Sequence, residues 1–162
     1  MIRPTTADDS ASIIALAVGA GMFPANETDA LAKVLEDYFA GNLDDGHAWI
    51  TDEEEGELRG VAYYAPAMMA DGTWYVYMIG IRPEYQGQGR GKTLMLHLEN
   101  TLRASGQRLL LVETSGLPSY DRTRTFYAKC GYEEEARIRD FYTAGDDKIV
   151  FRKALNAEKS LK

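Results

Sequence analysis

The residues with the most evident capacity for chemistry lie in one turn, Arg82-Pro83-Glu84-Tyr85-Gln86-Gly87-Gln88-Gly89-Arg90-Gly91-Lys92. Three glycines at alternate positions remove the Cβ atoms that would block a close approach to the backbone, and they let successive amide N–H groups converge. At the start of a helix such a turn is an anion site, and phosphate or pyrophosphate is its natural ligand. Arg90 and Lys92 add positive charge there. Two familiar phosphate loops do not fit. Gly91-Lys92-Thr93 supplies the end of a Walker loop, but Gln86 stands where its first glycine belongs. Counted from Gly87, a dinucleotide fingerprint would need its last glycine at Lys92. A glycine turn that binds nothing is the plain alternative.

The turn has to be held between a strand and a helix, and the pattern supplies both. Residues 74–81 are aromatic and β-branched up to Gly80, and residues 89–105 carry Leu94, Met95, Leu98 and Leu102 at helical spacing. Upstream, the pattern predicts a short strand at 2–4 and a helix carrying Ile13, Ile14, Leu16, Ala17 and Val18. A second helix follows, with Thr28 as its N-cap and Gly41 as its stop. Strands are expected at 48–51 and 58–65. The acidic run 52–56 reads as a solvated turn between them, and Asp71-Gly72 as the turn before 74–81. Downstream come a buried strand at 109–114, a short helix at 123–130 ended by Gly131, and two final strands at 132–142 and 146–155. This order implies an α/β (α+β) protein with a mixed sheet covered by helices, in one domain spanning residues 1–162.

Composition sets outer limits. A chain of 162 residues with 45 % hydrophobic and 27 % charged residues suits a globular domain. At this length it buries roughly 70 % of its unfolded surface and needs no metal or disulfide to stabilise a core. The single Cys130 excludes a disulfide framework, and with only His47 and His97 a metal site is not expected. The net charge of −7 argues against a nucleic-acid partner. No stretch reaches the roughly 20 apolar residues of a membrane span. The opening Met-Ile-Arg-Pro-Thr-Thr has no signal-peptide apolar run, so a cytoplasmic location is expected.

The pattern Gln-x-x-Gly-x-Gly, met by Gln86, Gly89 and Gly91 behind a strand ending Ile79-Gly80-Ile81, resembles the acetyl-CoA-binding motif of the GNAT superfamily of N-acetyltransferases. A second element supports it. Phe126-Tyr127 followed by Gly131-Tyr132 is similar to that family's late helix. Where the family often has Asn and a small residue before this helix, the chain has Tyr120 and Thr123.

The resemblance implies a mostly antiparallel sheet of about seven strands with about four helices, and acetyl-CoA as co-substrate. The pantetheine arm would run along Met78, Ile79, Gly80 and Ile81. The pyrophosphate would sit on Gln86, Gly87, Gln88, Gly89, Arg90, Gly91, Lys92 and Thr93, with Thr123 and Phe126 nearby. Tyr127 corresponds to the family's general acid, and Glu113 is a candidate base. Met22, Phe23, Phe141 and Tyr142 lie in the segments that contact the acceptor, an unidentified primary amine. A covalent route through Cys130 is a minor alternative. So is a non-catalytic acyl-CoA-binding or sensor module. A homodimer stays open.

Overall fold

The computed structural model describes residues 1–43 and 46–156. Seven strands, β1 (Ile2–Pro4), β2 (Ala48–Glu54), β3 (Glu57–Pro66), β4 (Thr73–Ile81), β5 (Leu109–Ser115), β6 (Glu133–Thr143) and β7 (Asp146–Ala154), form one sheet in the order β1-β2-β3-β4-β5-β7-β6. Four helices accompany it: α1 (Ser10–Gly19), α2 (Asp29–Ala40), α3 (Arg90–Ala104) and α4 (Asp121–Lys129). The sheet is mostly antiparallel, as expected, with β4 and β5 parallel. Among the described residues no helix is long and apolar enough to cross a membrane. The chain divides into two compact units, Met1–Ala65 with Met78–His97, and Pro66–Tyr77 with the chain from Leu98 onward.

In the first unit, α1 and α2 bury Ile13, Leu16, Ala17, Leu31 and Leu35 against Trp49, Leu58, Val61 and Met78. Each fully buried aliphatic side chain of this kind contributes about 1.5–3 kcal/mol. Gly41 ends α2 in the left-handed conformation (φ 77°), as its position predicted, whereas the Thr28 side chain makes no capping bond. Arg3 ties β1 to the following turn through paired bonds to Asp9 (2.8 and 2.9 Å) and a third to Glu53 (2.6 Å). Beside that guanidinium the Asp9 carboxyl falls to about 2.

One expectation is corrected here. The acidic run 52–56 is not a solvated turn: β2 continues to Glu54, and Asp52 is only 5 % exposed. A carboxylate tolerates that burial only with charged partners. It has two, Arg90 at 2.7 Å and the Met1 amine at 3.3 Å. The turn proper is Glu55-Gly56, both at positive φ.

In the second unit, β4 and β5 run in register from Thr73↔Leu109 to Val76↔Val112. β5 pairs β7 from Leu109↔Ala154 to Ser115↔Lys148, and β7 pairs β6, the last strand in the sheet order. The link from β3 to β4 spans 67–72, longer than a tight Asp-Gly hairpin, and it is anchored where Arg108 and Leu109 donate to the Gly72 carbonyl (2.8 and 3.1 Å). Glu99 of α3 is fully buried. Its carboxylate accepts from the Tyr132 hydroxyl (2.7 Å) and from Lys153 (2.9 Å), which also donates to the Cys130 carbonyl (2.8 Å).

Candidate functional site

The glycine turn is built in the first unit. Residues Pro83–Tyr85 form one 3₁₀ turn with proline at its start, which fixes the direction of the chain as it leaves β4. The Gln86 side chain then donates to the Ile81 carbonyl (3.0 Å), pinning the loop to the strand end. Gly87 and Gly89 sit at φ 75° and 82°. A Cβ at either would meet nothing within 4 Å, so glycine is required by backbone conformation and the space beside it is open. The first bond into α3 runs from the Thr93 amide to the Gly89 carbonyl (3.0 Å), and the Thr93 hydroxyl donates to the same carbonyl (2.9 Å). The amides of Arg90, Gly91 and Lys92 precede that bond and find no backbone acceptor among the described residues. Three amides without a backbone acceptor at a helix N-terminus, beside an exposed Lys92, suit an anion. An open hollow of about 430 Å³ borders the turn, with Asp52, Gln88, Gly89, Arg90, Thr93 and His97 in its lining.

Arg90 behaves differently from Lys92. Its guanidinium turns to β2, donating to Asp52 (2.7 Å) and Glu54, and these bonds raise its pKa and lower that of Glu54. Next to it the Tyr85 ring lies under Arg59 (4.2 Å), and the Tyr85 hydroxyl donates to Glu57 (2.6 Å). Arg90 therefore braces the turn. Arg90→Met should leave Asp52 buried with only the chain amine as partner and cost about 2–3 kcal/mol, read as a lower Tm.

The strand-end residues are buried in alternation: Met78 and Gly80 face inward, while Ile79 and Ile81 are half-buried. A Cβ on Gly80 would lie 2.9 Å from Leu16 and 3.1 Å from Met22, so α1 packing by itself accounts for glycine here. Met22 and Phe23 pack against the core of the first unit.

The second unit holds the remaining residues. Tyr127 on α4 is 5 % exposed and ringed by Phe126 (5.3 Å), Phe151 (5.7 Å) and Tyr132 (6.1 Å). Its hydroxyl makes no hydrogen bond among the described residues, and burial pushes its pKa above the ordinary phenol value. Thr123 and Phe126 are half-buried on the same helix. Glu113 pairs with Lys148 at 3.3 Å, and that ammonium also lies 3.8 Å from the Phe141 ring centre. Glu113 and the Phe141 ring thus share one of the chain's own cations. Tyr142 is 46 % exposed, and its hydroxyl pKa is raised by partial burial and by Glu113, Asp146 and Tyr120.

Arg124, Lys148 and Lys153 do not stand out in the sequence. Arg124 donates to the Ser115 (2.5 Å) and Leu117 (3.0 Å) carbonyls and so ties α4 to the end of β5. Glu99 does leave a signal: it lies four residues after Met95 and three before Leu102, on the apolar stripe of α3.

Residues 17–132 match the model of the acetyltransferase (GNAT) family, and the chain belongs to that family. Among solved structures, a GNAT-family protein from Desulfovibrio desulfuricans is 30 % identical, with 96 % of this chain and 99 % of that one covered and a TM-score of 0.90. The ribosomal-protein-S18-alanine N-acetyltransferase of Escherichia coli is 21 % identical over 97 % and 94 % of the two chains, TM-score 0.77. An aminoglycoside 6′-N-acetyltransferase complexed with coenzyme A is 14 % identical over 98 % of each chain, TM-score 0.80. These last two share the fold.

Proposed function

We propose that the protein is an acetyl-CoA-dependent N-acetyltransferase acting on a primary amine through a ternary complex. The observation that carries this reading is the turn at Gly87 and Gly89, whose positive φ angles leave the first amides of α3 open to a pyrophosphate. The span of the family match takes in residues of both compact units, which supports one domain over 1–162.

Bound acetyl-CoA supplies the thioester whose carbonyl carbon a neutral amine attacks, so that a C–N bond forms and a C–S bond breaks. The amides of Arg90, Gly91 and Lys92, with the Lys92 ammonium, hold and orient the diphosphate. The backbone from Met78 to Ile81 offers strand hydrogen bonds to the pantetheine amides. Tyr127 keeps its proton at neutral pH and donates it to the departing thiolate. A lysine-like amine must lose its own proton first, which costs about 4.6 kcal/mol at pH 7 for a side chain that titrates near 10.4. Glu113, which pairs with Lys148 through one oxygen, is the candidate acceptor of that proton, directly or through water. Phe141 and Tyr142 are assigned to acceptor contacts together with Met22 and Phe23.

The test is thermal stabilisation by coenzyme A followed by thiol release from acetyl-CoA over a panel of small amines, peptide N-termini and lysine peptides. Stabilisation with release on at least one amine is expected. Stabilisation without release on any would make the protein an acyl-CoA-binding module, and no stabilisation would overturn the cradle.

A further inference from the structure

The Tyr127 hydroxyl makes no hydrogen bond among the described residues, and the nearby Cys130 thiol adds to burial in holding its proton on. The hydroxyl's aim comes from the ring's neighbours and from the backbone that carries it. Phe126 and Phe151 hold the ring by close packing, at 5.3 and 5.7 Å between ring centres. Tyr132 contributes more. Its amide donates to the Tyr127 carbonyl (3.0 Å) as the chain turns back after α4, and its ring meets Tyr127 edge-on at 62°.

Tyr132 is itself held from the far end. Its hydroxyl donates to Glu99, a carboxylate with no exposed surface, whose other oxygen takes Lys153 at 2.9 Å. The same ammonium lies 5.3 Å from the Tyr132 ring centre and donates to the Cys130 carbonyl, at the residue that caps α4. A buried ion pair of this kind is a poor source of stability compared with packed hydrocarbon. What it offers is direction: a charge-assisted bond with one preferred geometry. We infer that Glu99 is a positioning residue for Tyr127, acting through Tyr132 and, by way of Lys153, through the C-terminal cap of α4. The inference rests on Tyr127 as proton donor. Burial and the neighbouring carboxylate both push the Tyr132 pKa up, so it stays a donor across the working pH range.

Two variants test this in the full chain. Tyr132→Phe removes only the hydroxyl, and Glu99→Gln keeps shape while removing charge. With ¹³C-labelled tyrosine, the Tyr127 ring signals are assigned by their loss in Tyr127→Phe. Faster ring flipping or a second Tyr127 conformer is expected in any variant that still unfolds cooperatively, and unchanged Tyr127 signals in folded Tyr132→Phe would overturn the inference. In kinetics, with the amine giving fastest thiol release, Tyr132→Phe should lower kcat about tenfold at constant KM for acetyl-CoA. In a Tyr127→Phe background the same change should have no further effect on kcat. Independent, multiplying losses would also overturn positioning. Unchanged turnover in Tyr127→Phe alone would instead remove the proton-donor role, with the ring signals still reporting on the geometry.

Discussion

Replacing Tyr127 with phenylalanine is expected to lower kcat about a hundredfold while the Kd for coenzyme A stays within about twofold, since one positioned proton donor is worth about 10²–10⁴ in rate. The fold should survive, because the ring contacts with Phe126, Tyr132 and Phe151 are retained and the lost hydroxyl made no hydrogen bond among the described residues. Stability at high pH gives a second readout. Burial raises the folded phenol's pKa, so between the unfolded value of about 10 and the folded one the native state holds a proton that the unfolded chain has lost. The native protein should therefore lose stability as pH rises above about 10, and Tyr127→Phe should lose less. Isothermal titration with coenzyme A, thiol-release kinetics and thermal melts from pH 8 to 11 check the three expectations. Unaltered kcat would remove the acid role.

Gly89→Val is expected to weaken coenzyme A binding more than a hundredfold, with no stabilisation by the ligand left in a thermal melt. Two effects act together. At φ 82° a β-branched residue is strained by at least about 1–2 kcal/mol, so the loop relaxes and the amides of Arg90 to Lys92 lose their common direction. The new side chain would also project into space that is open in the native turn, where the proposed ligand approaches. Gly89→Ala separates the two: it keeps much of the backbone strain and adds one carbon, so an intermediate loss is expected. Full affinity in Gly89→Val would show that the turn is not the cradle.

The elements around the turn were legible because their signals are local. The 74–81 run, the stripe Leu94, Met95, Leu98, Leu102 and the stops at Gly41 and Gly131 each follow from a few neighbouring residues, and the structure places elements there within a few residues. The acidic run after residue 51 failed for the opposite reason. Asp52 and Glu54 read as solvated when viewed alone, and the partner that lets Asp52 lie buried, Arg90, is 38 residues away. Glu113 shows the same limit. A carboxylate near a strand end has several uses, and only the register that sets Ser115 opposite Lys148 brings the ammonium to it. Gly80 interrupts the β-branched run in the sequence, but the atoms that crowd it in the structure, those of Leu16 and Met22, lie on distant elements.

The last strand of the sheet, β6, is exposed along its whole length. It opens with Glu133, Glu134 and Glu135, its pairing slips between Glu134 and Ala136, and Asp140 lies at positive φ (57°). Adjacent like charges, an extra residue and a kinked backbone are how natural margins resist adding a foreign strand. These features make the margin at 133–140 a poor template for an incoming strand.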